Sequence, residues 1–281
     1  MLATPHLFFD LGTLNDILDA FEAATYSWVF NLYPAALATF FTLASIELAW
    51  SIFRHLVGSS SSLEGLFDLL IRKIVALSFA YYVLYFSPAI IPLILSSFQK
   101  AGTLATGIDA LRPSTYLAVG CQLAASFMTR ANGLVVLLDP FSIDVLVVAS
   151  FGTVALFGLM AAIILLTLIE SYLVIPCAVF LLPFAATRWT SSLTEGVFAH
   201  TFTLGLRLLL LMLVGGILKN FLAAWTQQAQ SSDFFISPIA YIGFCGELLC
   251  LTLLLWNVPR LARAMIRPTL TLHFSPRVGD N

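Results

Sequence analysis

The sequence predicts an all-α protein that crosses a membrane several times. Hydrophobic residues make up 60% of the 281 residues, charged residues make up only 10%, and the mean hydropathy is +0.97. Soluble domains carry about 25% charged residues, so this composition excludes an ordinary soluble domain. Apolar stretches of about 20 residues, the length that crosses a bilayer, recur along the chain. We therefore expect a polytopic helical membrane protein with about five transmembrane helices.

The chain begins with a segment that has the pattern of an amphipathic helix. Between residues 7 and 22, large apolar side chains recur at helical spacing at Leu7, Leu11, Leu14, Leu18 and Phe21. Asp16, Asp19 and Glu22 fall off that face. A helix with one apolar and one acidic face lies on a membrane surface or on a partner. We expect residues 1–28 to form an N-terminal segment around this helix, outside the membrane spans.

Five apolar segments predict the spans. They are residues 29–53, 71–95, 143–169, 201–225 and 236–258. The central region between the second and third spans is the least hydrophobic, and its short apolar part, residues 114–128, predicts an interfacial helix. The chain is thus divided into an N-terminal segment, a first pair of spans, a central loop, a C-terminal bundle and a tail, at residues 1–28, 29–95, 96–142, 143–258 and 259–281.

One apolar segment resists assignment as a full span. Residues 171–186 are interrupted by Pro176 and Pro183, and proline removes a backbone donor from a helix. We expect this segment to be either re-entrant or a bent extension of the third span. Irregular backbone at membrane depth is tolerated only where protein or a wet cavity covers it.

The distribution of basic residues predicts the orientation. Lys and Arg are in excess on the cytoplasmic side of a membrane. With the N-terminus outside and five spans, eight basic residues are cytoplasmic: Arg54, Arg72, Lys73, Arg188, Arg260, Arg263, Arg267 and Arg277. Three lie outside: Lys100, Arg112 and Arg130. A full crossing by residues 171–186 would move the basic tail outside, so we expect an outer N-terminus and a cytoplasmic C-terminus.

Charged residues at membrane depth are the candidate functional residues. Arg207 interrupts the apolar run TFTLGLRLLLLMLVGGIL, and Glu47 lies at a similar depth in the first span. Such charges are costly unless they face protein or water. They form either an ion pair that fixes helix packing, within or between subunits, or a polar lining of a conduit or subunit interface. Glu247, near the middle of the fifth span, would extend such a lining.

Small residues predict where helices approach closely. Gly215 and Gly216 lie in the fourth span, and Gly243 and Gly246 lie in the fifth. Glycine lets helix backbones pack close together in membranes. We expect a close helix contact at each pair.

The sequence gives no indication of catalysis. It contains no GxSxG, HExxH or P-loop motif, and its four cysteines form no CxxC pair. No cluster of Lys and Arg marks a nucleic-acid surface. We therefore expect no enzyme activity, no cofactor and no metal site.

The order of four segments resembles the TrbL family. These are LLIRKIVALSFAYYVL, SSFQKAGTLATG, LRPSTYLAVGCQLA and LLPFAATRWTSSLTEGVFAHTFTLGLRLLLLMLVGGI, at residues 69–84, 96–107, 111–124 and 181–217. TrbL proteins belong with the sixth VirB protein among the polytopic inner-membrane components of type IV secretion systems. The resemblance implies a homo-oligomeric ring in the bacterial inner membrane, for which five-fold symmetry is one option. It further implies a ring at the base of a stalk, with pilus subunits and ATPase-linked components as partners and membrane lipid around it. A nucleoprotein or effector substrate would pass in transit.

The resemblance also suggests a docking role for the central loop. We expect Leu117, Leu123 and Phe127 on its short helix to form a periplasmic docking surface for stalk or pilus subunits. The alternative is a helix that rests at the lipid headgroups. For the whole chain, the alternatives are a small-solute channel or secondary transporter, or a membrane scaffold of another envelope complex.

Overall fold

The fold consists of six α-helices and one short 3-10 helix in the part of the chain that the structure describes. The computed structural model describes residues 12–57, 63–109, 111–131, 140–230 and 238–266. The α-helices are α1 (Thr13–Val57), α2 (Leu63–Thr106), α3 (Pro113–Ala131), α4 (Pro140–Leu181), α5 (Ser191–Gln230) and α6 (Pro238–Ile266). The 3-10 helix, Leu182–Ala186, follows α4. Five segments, in α1, α2, α4, α5 and α6, are long and apolar enough to cross a membrane, which confirms the predicted fold class.

Four of the helices are much longer than the predicted spans. α1, α2, α4 and α5 have 45, 44, 42 and 40 residues. At 1.5 Å per residue each is roughly 60–68 Å long, about twice the thickness of the hydrocarbon core of a bilayer. The predicted amphipathic helix and the first span are one continuous helix from Thr13 onward. The first residues of that amphipathic segment lie outside the described part of the chain.

Helix α2 continues beyond residue 95, the predicted end of the second span. Pro88 and Pro92 lie inside this helix, which continues to Thr106. The missing N–H of Pro88 leaves the carbonyl oxygen of Leu84 without its usual helical donor. The hydroxyl of Ser87 donates a hydrogen bond to that oxygen at 2.7 Å. A side-chain donor therefore replaces the lost backbone donor, as membrane helices require.

The segment 171–186 continues the third span. Pro176 lies inside α4, and the chain then passes directly into the 3-10 helix. Pro176 leaves the carbonyl oxygen of Tyr172 without a helical donor, and Thr25 Oγ1 from α1 lies 3.5 Å from it. The structure therefore shows an extension of the third span rather than a separate re-entrant segment.

The helices form two compact units. One, called here the α1–α2 unit, comprises Phe21–Ser97 and Glu170–Leu206. Its core is an apolar cluster from α1, α2, the end of α4 and the 3-10 helix: Ala36, Phe40, Leu84, Val179, Leu182 and Ala186. A hydrogen bond from the hydroxyl of Tyr172 to Glu22, 2.9 Å long, joins α4 to α1 in the same unit. This unit positions the charged side chains described below.

The other unit, called here the α3–α6 unit, comprises Phe98–Ile169 and Arg207–Ala262. Its core contains aromatic rings in edge-to-face contact. Phe127 of α3 lies 5.1 Å from Tyr241 and 5.8 Å from Phe244 of α6, measured between ring centroids. Trp225 of α5 contacts Phe244 at 5.1 Å and Phe157 of α4 at 6.5 Å. Such ring pairs add to the stability that apolar burial provides.

The two glycine pairs behave differently. A Cβ atom on Gly216 would lie 2.7 Å from Thr106 of α2, and one on Gly215 would lie 2.8 Å from Leu111. The predicted close contact at this pair is confirmed. Around Gly243 and Gly246 there is open space within the chain, so the prediction of a close contact there was wrong for a single chain. These glycines face outward from α6.

Candidate functional site

A carboxylate from α1 is buried in the α1–α2 unit. Glu47 is 4% exposed, and its Oε1 atom accepts a hydrogen bond from the ammonium group of Lys73 on α2. The Nε atom of Arg188, in the turn between the 3-10 helix and α5, lies 4.0 Å from the same oxygen. A buried carboxylate needs such partners because its desolvation costs several kcal/mol. The ion pair therefore joins α1 to α2 at one end of the unit.

Threonine side chains hold the turn that carries Arg188. The hydroxyl of Thr190 donates a hydrogen bond to the carbonyl oxygen of Phe184 at 2.6 Å. Thr194 Oγ1 lies 3.4 Å from the carbonyl oxygen of Leu181 at the end of α4. These contacts satisfy carbonyl groups that a helix end would otherwise leave without a donor. They fix the backbone on which Arg188 and Trp189 are placed.

The buried ion pair forms the floor of a polar pocket of about 370 Å³. Its lining residues come from α1, α2 and the turn before α5: Glu47, Trp50, Ser51, Arg54, His55, Leu69, Lys73, Arg188 and Trp189. Arg54, Lys73 and Arg188 carry positive charge, whereas Glu47 is the single carboxylate among the lining residues. The pocket therefore has an excess of two positive charges when His55 is neutral. Such a pocket attracts anions.

Two tryptophans lie at the mouth of this pocket. Trp50 of α1 and Trp189 have ring centroids 5.8 Å apart in an edge-to-face contact. The guanidinium carbon of Arg54 lies 5.9 Å from the Trp50 ring centroid, within the range of cation–π attraction. Tryptophan and arginine concentrate where membrane helices emerge into the headgroup region. The pocket has the composition of a site at that depth.

Comparison with known proteins assigns the chain to a family. The sequence profile of the TrbL/VirB6 plasmid conjugal transfer proteins matches residues 41–258, more than three quarters of the chain. The chain belongs to the TrbL/VirB6 family. It is 23% identical over 232 residues to a protein of Sinorhizobium fredii (strain NBRC 101917 / NGR234) named "Probable conjugal transfer protein TrbL". That match covers 82% of this chain, and the chain spans 58% of the length of the relative. The TrbL resemblance found in the sequence is confirmed.

In this TrbL/VirB6 chain, Glu47 does not pair with Arg207, its predicted partner, within the described structure. Its partners are Lys73 and Arg188, whereas Arg207 belongs to the α3–α6 unit. Sequence analysis assigned Lys73 to the cytoplasmic end of the second span, as a marker of orientation. α2 begins at Leu63, eight residues before the predicted start of the second span at residue 71, and the fold brings Lys73 beside Glu47.

The other two predicted charges have contrasting surroundings. Arg207 of α5 is partly buried, its Nε atom is buried, and the residue is engaged in polar contact. This surrounding agrees with the expectation that an arginine at membrane depth faces protein or water. Glu247 of α6 is exposed on the surface of the chain. A pairing of Glu47 with Arg207 across a subunit boundary stays a prediction.

The predicted docking residues lie mainly in the core. On α3, Leu123 is 1% exposed, Phe127 is fully buried, and Leu117 is partly buried. Burial also raises the pKa of the neighbouring Tyr116 to about 12. The interpretation of Leu123 and Phe127 as a docking surface was therefore wrong, because α3 uses its apolar face to pack inside the α3–α6 unit. A helix was predicted over residues 114–128, and the structure has one at Pro113–Ala131; its position at the membrane interface stays a prediction.

A second pocket, between α4 and α6, differs in chemistry. It has a volume of about 410 Å³ and is lined almost entirely by apolar side chains, with Asp144 as its charged residue. Among the described residues no group of three or more His, Cys, Asp or Glu side chains could hold a metal ion. The polar pocket of the α1–α2 unit thus has more charged lining residues than this apolar pocket.

Proposed function

We propose that this chain is an inner-membrane subunit of a conjugative type IV secretion machine. The observation that carries the proposal is the match of residues 41–258 to the TrbL/VirB6 conjugal transfer family. The relative from Sinorhizobium fredii is named as a conjugal transfer protein. Five apolar helices support a multi-pass membrane protein. The proposed role is structural, as a platform in the membrane, rather than catalytic.

Homo-oligomerisation is part of the proposal, and α6 provides its main support. Glu247 is exposed near the middle of the predicted fifth span, and a charged side chain at such a position costs at least about 2.5 kcal/mol in lipid. The open surfaces of Gly243 and Gly246 lie beside it. Small residues let a second helix approach, and polar side chains stabilise such contacts. A neighbouring copy or a water-lined passage would remove Glu247 from lipid.

Tyrosines on α2 support the same conclusion for the α1–α2 unit. Tyr82 and Tyr85 are 58% and 55% exposed, close to the middle of the predicted second span. Tyrosine normally lies at the two membrane surfaces, where its hydroxyl group finds water or headgroups. A hydroxyl at mid-depth in lipid lacks such partners. We infer that another protein surface covers these side chains in the assembled state.

These faces suit a ring in which each copy contacts two neighbours. We propose that such a ring, with five-fold symmetry as one option, forms a platform at the base of the stalk. Pilin, stalk and ATPase-linked components would be its partners, and a nucleoprotein or effector substrate would pass in transit. Glu47, Lys73 and Arg188 would fix the α1–α2 hairpin within each copy.

The proposed orientation has an outer N-terminus and a cytoplasmic C-terminus. Lys73 and Arg188 both contact Glu47, so the C-terminal part of α1, the N-terminal part of α2 and the turn before α5 lie at the same end of their unit. That end also carries Arg54 and Arg72, the excess of basic residues typical of the cytoplasmic side. In a variant without native cysteines, an impermeant thiol reagent added to spheroplasts should label a cysteine at Asp109 and spare one at Ser192.

The test of the function is conjugative transfer in the strain that carries this gene. Deletion of the gene should abolish transfer, and the wild-type gene should restore it. A gene with Glu247→Leu should restore transfer poorly, because the polar contact of α6 is lost, while the matched surface variant Asp68→Asn restores it fully. Normal transfer after deletion would contradict the proposed function. Solute flux through liposomes that hold this chain alone would instead support the channel or transporter alternative.

A further inference from the structure

The polar pocket of the α1–α2 unit has a composition that favours an anionic ligand. Lys73 shares its charge with Glu47, whereas Arg54 and Arg188 are exposed. Arg188 is 75% exposed at its side chain and 4.0 Å from Glu47, so most of its donors are available. Arginine presents several N–H donors in a planar fork that matches the oxygens of a phosphate group. We propose that this pocket binds the phosphate group of an anionic membrane phospholipid.

The surroundings of the pocket favour a lipid as the carrier of that phosphate. Trp50 and Trp189 rim the pocket with their rings 5.8 Å apart, and both are exposed. Tryptophan side chains prefer the headgroup region, where the ring meets acyl chains and the indole N–H meets polar groups. Phe53 of α1 and Ile71 of α2 present exposed apolar surface near the same end of these helices. A phospholipid would contact both the cations and this apolar surface.

The buried ion pair gives the pocket a fixed shape. Glu47 and the ammonium group of Lys73 are at most 15% exposed at their side chains, so they form an internal floor. Glu47 neutralises the buried cation and leaves the two arginines at the mouth to attract the ligand. A zwitterionic lipid presents a compensating cation, so we expect binding to require net negative charge.

A lipid-binding experiment with the full-length protein tests the proposal. Purified, delipidated protein in detergent is titrated with phosphatidylglycerol or with phosphatidylcholine. Native mass spectrometry then counts the lipid molecules bound to each protein. Wild-type protein should retain phosphatidylglycerol in preference to phosphatidylcholine. Arg54→Gln together with Arg188→Gln should weaken phosphatidylglycerol binding by about tenfold, because each removed cation contributes a local attraction. Arg188→Gln removes a side chain 4.0 Å from Glu47, but the pair of Glu47 with Lys73 stays in place.

Arg72 provides the matched control. It neighbours Lys73 on α2 but pairs with Asp68 on the exposed surface at 2.8 Å, and it does not line the pocket. Arg72→Gln should change phosphatidylglycerol binding less than twofold, because Asp68 already neutralises Arg72 and Arg72 lies outside the pocket. Equal loss in Arg72→Gln and in the double variant would overturn the proposal, as would equal binding of the two lipids.

Inorganic phosphate distinguishes the sources of the anion. If millimolar phosphate displaces phosphatidylglycerol from the wild-type protein but not from the Arg54→Gln and Arg188→Gln variant, the site recognises a phosphate group on any carrier. The absence of competition, with phosphatidylglycerol still bound, would assign it to the lipid. Helicity and the oligomer distribution of each variant should match those of wild type, which separates loss of the site from loss of the fold. None of these outcomes depends on the proposed role in conjugative transfer.

Discussion

The helices α1 and α2 differ from α4 and α5 in how much of their apolar surface the chain itself covers. In the most hydrophobic windows of α1 and α2, 17% of residues are buried, compared with 44% in those of α4 and α5. Apolar contact gives no net gain between helices that could equally contact lipid. This difference indicates that the position of α1 and α2 depends on a few specific contacts, chiefly that of Glu47 with Lys73. In contrast, α4 and α5 are held by extensive packing.

The largest expected effect comes from the contact that holds α1 to α2. Glu47→Leu or Lys73→Leu alone should lower the free energy of unfolding by about 3–5 kcal/mol, because one buried charge is left without its partner. The double variant should be close to wild type, since well-packed apolar residues replace such pairs at little cost. Unfolding in mixed micelles, followed by tryptophan fluorescence, measures all three variants.

The exposed ion pair of α2, Arg72 with Asp68, is the control for these single and double variants. Arg72 and Asp68 are 79% and 61% exposed at their side chains, and such surface pairs contribute at most about 1 kcal/mol. Arg72→Leu should therefore leave the free energy of unfolding nearly unchanged. If the double variant of Glu47 and Lys73 is as unstable as the singles, the two side chains do not stabilise each other and the comparison fails.

The next effect concerns packing around α4. Phe157 is fully buried, with its side chain against Gly120 of α3, whereas Phe151 on the same helix is 69% exposed. Phe157→Ala should reduce the free energy of unfolding by about 3 kcal/mol, because it leaves a cavity. Phe151→Ala should change it by less than about 0.5 kcal/mol. Similar losses in both variants would show that α4 is not a core helix.

The smallest effect separates the folding of one chain from its assembly. Gly216→Val should lower the free energy of unfolding by about 1–3 kcal/mol, because its side chain would overlap Thr106. Gly246→Val meets no atom within the chain and should leave that free energy unchanged while it reduces the fraction of oligomer. Native mass spectrometry gives the oligomer fraction. An oligomer fraction unaffected by Gly246→Val would exclude this face of α6 from the interface.

The sequence predicted the class and the order of the helices because membrane-length apolar segments are a strong pattern. It also predicted α3. For residues 171–186 it left two options, and the extension of the third span was one of them. It missed the continuation of α2 from residue 95, the predicted end of the second span, to Thr106. The hydroxyl of Ser87 compensates for the donor that Pro88 lacks, and this contact exists only in three dimensions. It also missed the partner of Glu47. Lys73 and Arg188 approach Glu47 through tertiary contacts, which no spacing in the sequence encodes.

Sequence patterns also could not distinguish inner from outer faces. Gly215 and Gly246 both lie in predicted spans, yet a Cβ atom on the first would contact Leu111 and the second has open space beside it. Likewise, the hydrophobicity of Phe127 suited either docking or core packing, and only its contact with Tyr241 decided for the core. Which face of a membrane helix is covered depends on its neighbours, because lipid and protein are both apolar.

The most direct test of assembly through α6 is photo-crosslinking in the membrane. We propose that the outward surface around Gly246 and Glu247 contacts a second copy of this chain. A benzophenone amino acid is placed at residue 246 in cells that express two differently tagged copies of the protein. We expect a light-dependent adduct of twice the subunit mass that carries both tags. Light-dependent reaction with lipid alone, with no adduct that carries both tags, would contradict it.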